Sequence, residues 1–181
     1  MTTYPIHTID SAPEGSKQSL ETLYQAFGLI PNLAATMASS PALVNTFVAA
    51  FGQFAGAGFT GAERQVLLLS NAVANTSSWP VAFHSTAALS EGVSAGDVEA
   101  IRAGRLPSDQ RLATLSAVTR RLIETRGHID DADVKAFTAA GFDELQLLAV
   151  ITGVAISAMA NYTSNVARPE LEPPFQAQAW S

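Results

Sequence analysis

The sequence contains no cysteine. That excludes disulfides, cysteine-ligated zinc and catalysis by a thiolate. Positive charge is scarce: ten Lys and Arg stand against sixteen Asp and Glu, for a net charge of −6. The basic residues are scattered, and Arg120-Arg121 is the only adjacent pair. Nucleic acid and anionic membranes are held by clustered cations, so neither is expected as a partner. Long apolar runs are also missing. The longest, Val66–Leu69 and Leu145–Ile156, are short or interrupted by Gln146, Thr152 and Gly153, so no bilayer-spanning segment is expected. The opening Met1–Ser11 has neither the basic start nor the apolar stretch of a signal peptide, and the expected compartment is the cytoplasm. Gly52, Gly56, Gly58 and Gly61 follow a helical pattern rather than a strand, so they read as a turn and not as a dinucleotide fingerprint. His7, His84 and His128 have no carboxylate partner at ligand spacing, and no metal site is expected. Asp130, Asp131 and Asp133 lack the glutamate that would close a calcium loop. No cofactor is expected.

What is present is apolar and helical. Hydrophobic residues make up 48% of the 181 residues and charged ones 14%, enough for one domain with a large core. Residues 1–15 read as an arm broken by Pro5, Pro13 and Gly15. A first helix is expected from about Ser16 to Phe27, ending at Gly28. Pro31 and Pro41 suit the first turns of two more. Thr60-Gly61-Ala62-Glu63 is a capping-box pattern, and the helix it opens, about 61–76, is apolar nearly all round. Pro80 fits the first position of the next helix, with Ser77, Ser78 or Trp79 as its cap. Ser94-x-x-Asp97, Asp109, Asp130 and Asp143 open the remaining helices, the last reaching about Ala167. The tail, 168–181, with Pro169, Pro173 and Pro174, reads as extended and suited to embracing a neighbour. No strand-type alternation occurs. The expectation is an all-α domain of about eight helices.

One stretch carries a resemblance: Glu63-Arg64-Gln65-Val66-Leu67-Leu68-Leu69, then Asn75-Thr76-Ser77-Ser78-Trp79-Pro80-Val81-Ala82-Phe83-His84-Ser85. It resembles the signature of the carboxymuconolactone decarboxylase and alkylhydroperoxidase D-like superfamily, in which an acidic helix start leads to Asn-Gly-Cys-x-x-Cys-x-x-x-His. Gly28–Leu33, Ser40–Leu43 and Asn161–Asn165 look like flanking segments of its peroxidase-related branch. The resemblance covers roughly Leu20–Ala167 and implies a helical bundle that forms homo-oligomers. It also implies a site. The first cysteine of the pattern falls on Ser77, the second on Pro80 and the relay glutamate on Gln65, while the histidine is kept as His84. Thiol peroxidase chemistry is therefore excluded. Ser77 cannot form a disulfide, Pro80 has no nucleophile, and Gln65 cannot relay a proton.

His84 is the candidate catalytic residue, a general acid or base in an apolar pocket, with Gln65 and Ser77 as hydrogen-bond partners and Trp79 as a wall. Against this stands a packed core histidine with Ser77 acting only as a helix cap. Trp79 could equally pack at a subunit interface. Asn161 and Asn165 share one face of the last helix, where packing is the simpler role, and His7 and His128 read as solvated. Two functions follow. One is a cofactor-free enzyme performing lyase- or isomerase-type proton transfer on a small apolar metabolite. The other is a non-catalytic oligomer that binds a ligand or partner.

Overall fold

The computed structural model describes residues 4–181. The first three residues of the expected N-terminal arm lie outside that range. Among the described residues nine α-helices run in the order α1 (Glu14–Phe27), α2 (Asn32–Met37), α3 (Pro41–Ala55), α4 (Gly61–Ala74), α5 (Ser78–Ser90), α6 (Ala95–Arg102), α7 (Gln110–Glu124), α8 (Asp131–Ala139) and α9 (Glu144–Ala167). A 3-10 helix, Pro173–Gln178, follows. Among the described residues there is no strand.

The all-round apolar helix α4 is the hub. It packs against α5, α6, α7 and α9, and Val66, Leu67 and Leu69 are fully buried. Its start is held twice. Thr60 Oγ1 accepts from the Glu63 amide at 3.2 Å, and Glu63 Oε2 accepts from the Thr60 amide at 2.8 Å. The other carboxylate oxygen of Glu63 accepts from Arg111 Nε at 2.6 Å, tying α4 to α7. The same guanidinium donates to the Ala140 carbonyl and lies 3.7 Å from the centre of the Phe142 ring. Burial alone would raise the Glu63 pKa, but the Thr60 amide and Arg111 outweigh it and hold the carboxyl below its usual range. Glu63→Ala removes both the cap and the partner of Arg111. We expect it to lower stability by about 2 kcal/mol in urea unfolding at pH 7. A loss within error of zero would show that the α4–α7 tie is not a stabilising one.

The long α9 passes by length and composition for a membrane span, with a mean hydropathy of 1.5 over its most apolar 18 residues. This departs from the reading of the sequence, in which Thr152 and Gly153 broke the run. The helix crosses the bundle instead, packing against α2, α3, α4, α5 and α7 along one face. That face includes the small residues Gly153, Ser157, Ala160 and Ser164. A Cβ at Gly153 would stand 2.6 Å from Leu67 Cδ2, so glycine is what lets α9 sit this close to α4.

The tail is not extended throughout, since Pro173–Gln178 form a 3-10 helix. It folds back on its own chain. Glu172 accepts from the Asn32 amide at 2.6 Å and from Trp79 Nε1 at 2.9 Å. Phe175 is buried against Trp79 and Phe83, and Arg102 donates to the carbonyls of Gln178 and Ala179. The described part of the N-terminal arm is also docked: His7, expected in solvent, bridges the Ser11 carbonyl and Ser39 Oγ. His128 is exposed.

Candidate functional site around His84

The α4–α5 hairpin brings Gln65 and His84 together. Its turn is tight, with Thr76 at φ 48° and the Ser77 amide bonded to the Ala72 carbonyl. His84 Nδ1 lies 2.9 Å from Gln65 Oε1. An amide oxygen only accepts, so Nδ1 carries the proton and Nε2 presents a lone pair. Among the described residues Nε2 has no hydrogen-bond partner. Burial pushes the imidazole down to about 3, so the ring is neutral at physiological pH.

His84 opens on a cavity of about 40 Å³. Its wall is apolar, with Phe27, Phe47, Phe51, Trp79 and Phe83 set among aliphatic side chains. Trp79 stacks on Phe83 at 5.3 Å, and Phe83 meets the His84 ring edge-on at 5.1 Å. The remaining polar residues in the lining are Ser157 and Asn161 from α9. Ser157 Oγ is buried and has no partner. No carboxylate, lysine or arginine lines the cavity. The volume suffices for water but falls well below the ~300 Å³ of an ordinary ligand site.

A second space lies on the other side of the same phenylalanines. It is a groove of about 320 Å³, lined by Phe27, Phe51, Phe83, Phe175, Gln65 and Glu91 among others. Phe27 borders both spaces. It is the last residue of α1, is 37% exposed, and precedes Gly28, whose φ of 72° ends the helix. Phe51 and Phe83 border both as well.

Of the four residues singled out in the sequence, the structure places Gln65, Trp79 and His84 together. Ser77 is a correction. It occupies the N-cap position of α5, but its hydroxyl neither caps the helix nor reaches His84. It donates instead to the Asn161 carbonyl at 3.2 Å. Pro80 stands third in α5, not first, because Ser78 and Trp79 already have helical geometry. Asn161 has the packing role, its Nδ2 donating to the Asn71 carbonyl, and Asn165 does the same to Asn75. Phe27, Phe51 and Ser157 were not singled out. The first two looked like ordinary members of helical apolar stripes, and Ser157 like a small packing residue. Among the described residues no three His, Asp or Glu side chains converge on a point where a metal could sit.

No family model matches this chain, and no curated protein matches it. Solved structures do. A peroxidase-related protein from Ralstonia eutropha JMP134, described as an alkylhydroperoxidase AhpD core, superposes with a TM-score of 0.83 at 17% identity, over 95% of this chain and 93% of that one. A cysteine-to-alanine variant of the debrominase Bmp8, in complex with 2,3,4-tribromopyrrole, matches with a TM-score of 0.79 at 15% identity, over 98% and 95% of the two chains. A peroxidase-related protein from Silicibacter sp. TM1040 gives 0.74 at 16% identity, over 98% and 94%. The chain thus has the fold of the alkylhydroperoxidase D-like, peroxidase-related proteins, built without a single cysteine and so without thiol peroxidase chemistry.

Proposed function

We propose that the protein binds a small, flat, uncharged molecule carrying one N–H or O–H donor, held by His84 Nε2 within the aromatic cavity. The observation that carries this reading is the Gln65–His84 hydrogen bond. It fixes the tautomer, and an acceptor without a partner in an apolar site favours a ligand that donates. The phenylalanine and Trp79 walls favour a planar ring. An anion would enter with no cation to meet it, so carboxylates are disfavoured. Swinging Phe27 outward supplies the room the ring needs. The Bmp8 variant holds a ligand of this class, a flat ring with one N–H.

Where turnover follows, His84 starts as the neutral proton acceptor, a base weakened by the same burial that lowers its pKa. With a pKa of about 3, only about one molecule in 10⁴ carries the imidazolium at pH 7. The substrate proton passes to Nε2, the charged ring is steadied by Gln65 Oε1, and the proton returns to the product, as in a lyase or isomerase step. The lack of a second titratable group in the cavity favours the other reading, binding without turnover.

The test is a calorimetric titration with pyrrole, phenol and benzoate. Pyrrole and phenol should bind, with affinity flat between pH 5 and 8, and benzoate should not. His84→Phe should weaken the binding at least about tenfold, the worth of one hydrogen bond to a buried acceptor. Equal binding of benzoate, or affinity unchanged in the variant, would sink the reading.

A further inference from the structure

The start of α5 lacks its usual cap. Ser77 stands at the N-cap position, but its hydroxyl is engaged by the Asn161 carbonyl. The Ser77 amide bonds the Ala72 carbonyl, and the Val81 amide bonds the Ser77 carbonyl. Pro80 has no N–H. That leaves the amides of Ser78 and Trp79, and among the described residues neither has an acceptor. Two bare amides at the positive end of a 13-residue helix attract an anion.

The amides alone would make no site, but the end of α9 adds to them. A polar groove of about 520 Å³ lies between the two, lined by Thr76, Ser78 and Trp79 on one side and by Ser164 and Arg168 on the other. Ser164 is only 4% exposed. Among the described residues it enters the hydrogen-bond network through its carbonyl alone, which accepts from the Arg168 amide. A helical serine or threonine commonly turns its hydroxyl back to the carbonyl four residues earlier. Thr163 does so, onto Met159, and Ser164 does not. Its hydroxyl is a buried donor at the groove wall with no acceptor. Arg168 is exposed. The ion pairs among the described residues use Lys17, Arg102, Arg111 and Arg121, and Arg168 is in none of them. Asn165, also in the lining, is held by the Asn75 carbonyl. No carboxylate lines the groove, in a chain of net charge −6.

We propose that this groove binds a phosphate group, as the free ion or as a small phosphate monoester. The guanidinium, two amides and the Ser164 hydroxyl are all donors, which suits an oxyanion that only accepts. Arg168 supplies the charge, and the amides and Ser164 supply three further hydrogen bonds. A carboxylate has too few oxygens for that set. The groove is larger than a lone phosphate needs, so a short polar substituent fits. A nucleic acid needs a row of cations, and this groove has one. Trp79 separates the groove from the apolar cavity at His84, since it lines both.

The test is calorimetric titration of the full chain with sodium phosphate, glycerol 3-phosphate and acetate, at fixed ionic strength and about pH 8, where phosphate is a dianion. Both phosphates should bind with a Kd of about 1 mM or tighter, and acetate should not. Arg168→Gln should weaken phosphate binding at least about tenfold. Ser78→Pro removes one amide and keeps the helix. Proline suits the first helical position, and Ser77, at φ −109° and ψ 100°, already has the backbone that precedes proline. This variant should also lose at least about tenfold, and Ser78→Ala, which keeps the amide, less than about threefold. Ser164→Ala should weaken binding about fivefold without lowering stability in urea, because the hydroxyl it removes has no partner. Failure of both phosphates to bind, or equal binding of acetate, overturns the proposal. So does a helical Ser78→Pro that binds as tightly as the unaltered chain; if that variant unfolds, unchanged affinity in Arg168→Gln overturns it instead. Tighter binding of glycerol 3-phosphate assigns the site to a monoester, and tighter binding of inorganic phosphate assigns it to the free ion.

Discussion

Lowering the pH from 7 to 5 should cost the native state about 2 kcal/mol through His84 alone. In the folded protein burial holds this imidazole down at about 3, while in the unfolded chain it titrates at the ordinary value near 6.5. Above about 6.5 neither state is protonated, and the contribution is fully present. As the pH falls from there toward 3, the unfolded chain takes up a proton that the native one refuses, so stability drains away. The full loss, reached near pH 3, is about 5 kcal/mol. The carboxyls of Glu63 and Asp97, both held below their usual range, add to acid sensitivity at lower pH, so the interval from 6.5 to 5 isolates the histidine. Urea unfolding at pH 7 and pH 5 should show the difference in the unaltered protein. In His84→Gln, which keeps a neutral group able to donate to Gln65, the difference should shrink to a few tenths of a kcal/mol. An equal pH dependence in both proteins would mean that the His84 ring takes up protons as readily folded as unfolded, and the neutral-acceptor site would fall with it.

The second large effect is expected at Gly153. In most helices glycine to alanine is worth up to ~1 kcal/mol in favour of alanine. Here the added methyl would stand 2.6 Å from Leu67 Cδ2 and 3.1 Å from the Phe54 ring. Both neighbours are buried, at 0% and 1% exposure, and have nowhere to retreat. Overpacking should therefore cancel the helical gain in Gly153→Ala. In Gly153→Leu it should lower stability by at least about 3 kcal/mol. Denaturant midpoints decide it. A stabilised Gly153→Ala would mean that α9 sits loosely on α3 and α4.

The helical frame was legible because its signals are local. Thr60 with Glu63, Ser94 with Asp97, Asp130 with Asp133 and Asp143 with Gln146 are each within one turn of their partners, and all open helices in the structure. Ser77 looked like one more cap, but its hydroxyl reaches a carbonyl 84 residues away, which no local pattern can signal. The prolines of the tail suggested an extended segment because they forbid a long helix. What decides its path is Phe175 entering the Trp79–Phe83 cluster and Glu172 finding two donors, all long-range events. The pairing of Gln65 with His84 followed from two neighbouring helices of known register. The size of the cavity did not follow, since it depends on how five aromatic rings tile.

The tail's contacts also bear on the birth of the protein. Asn32 and Trp79 are made early, but their partner Glu172 comes 140 and 93 residues later. The hairpin of α4 and α5 can pack as soon as both have emerged, whereas the indole of Trp79 keeps a bare edge until the ribosome has released residue 175. A nascent chain carrying Gln65 and His84 therefore holds its pair of polar side chains before the wall around them is complete. The Trp79–Phe83 side of the site is therefore covered only after residues 172–175 have been made.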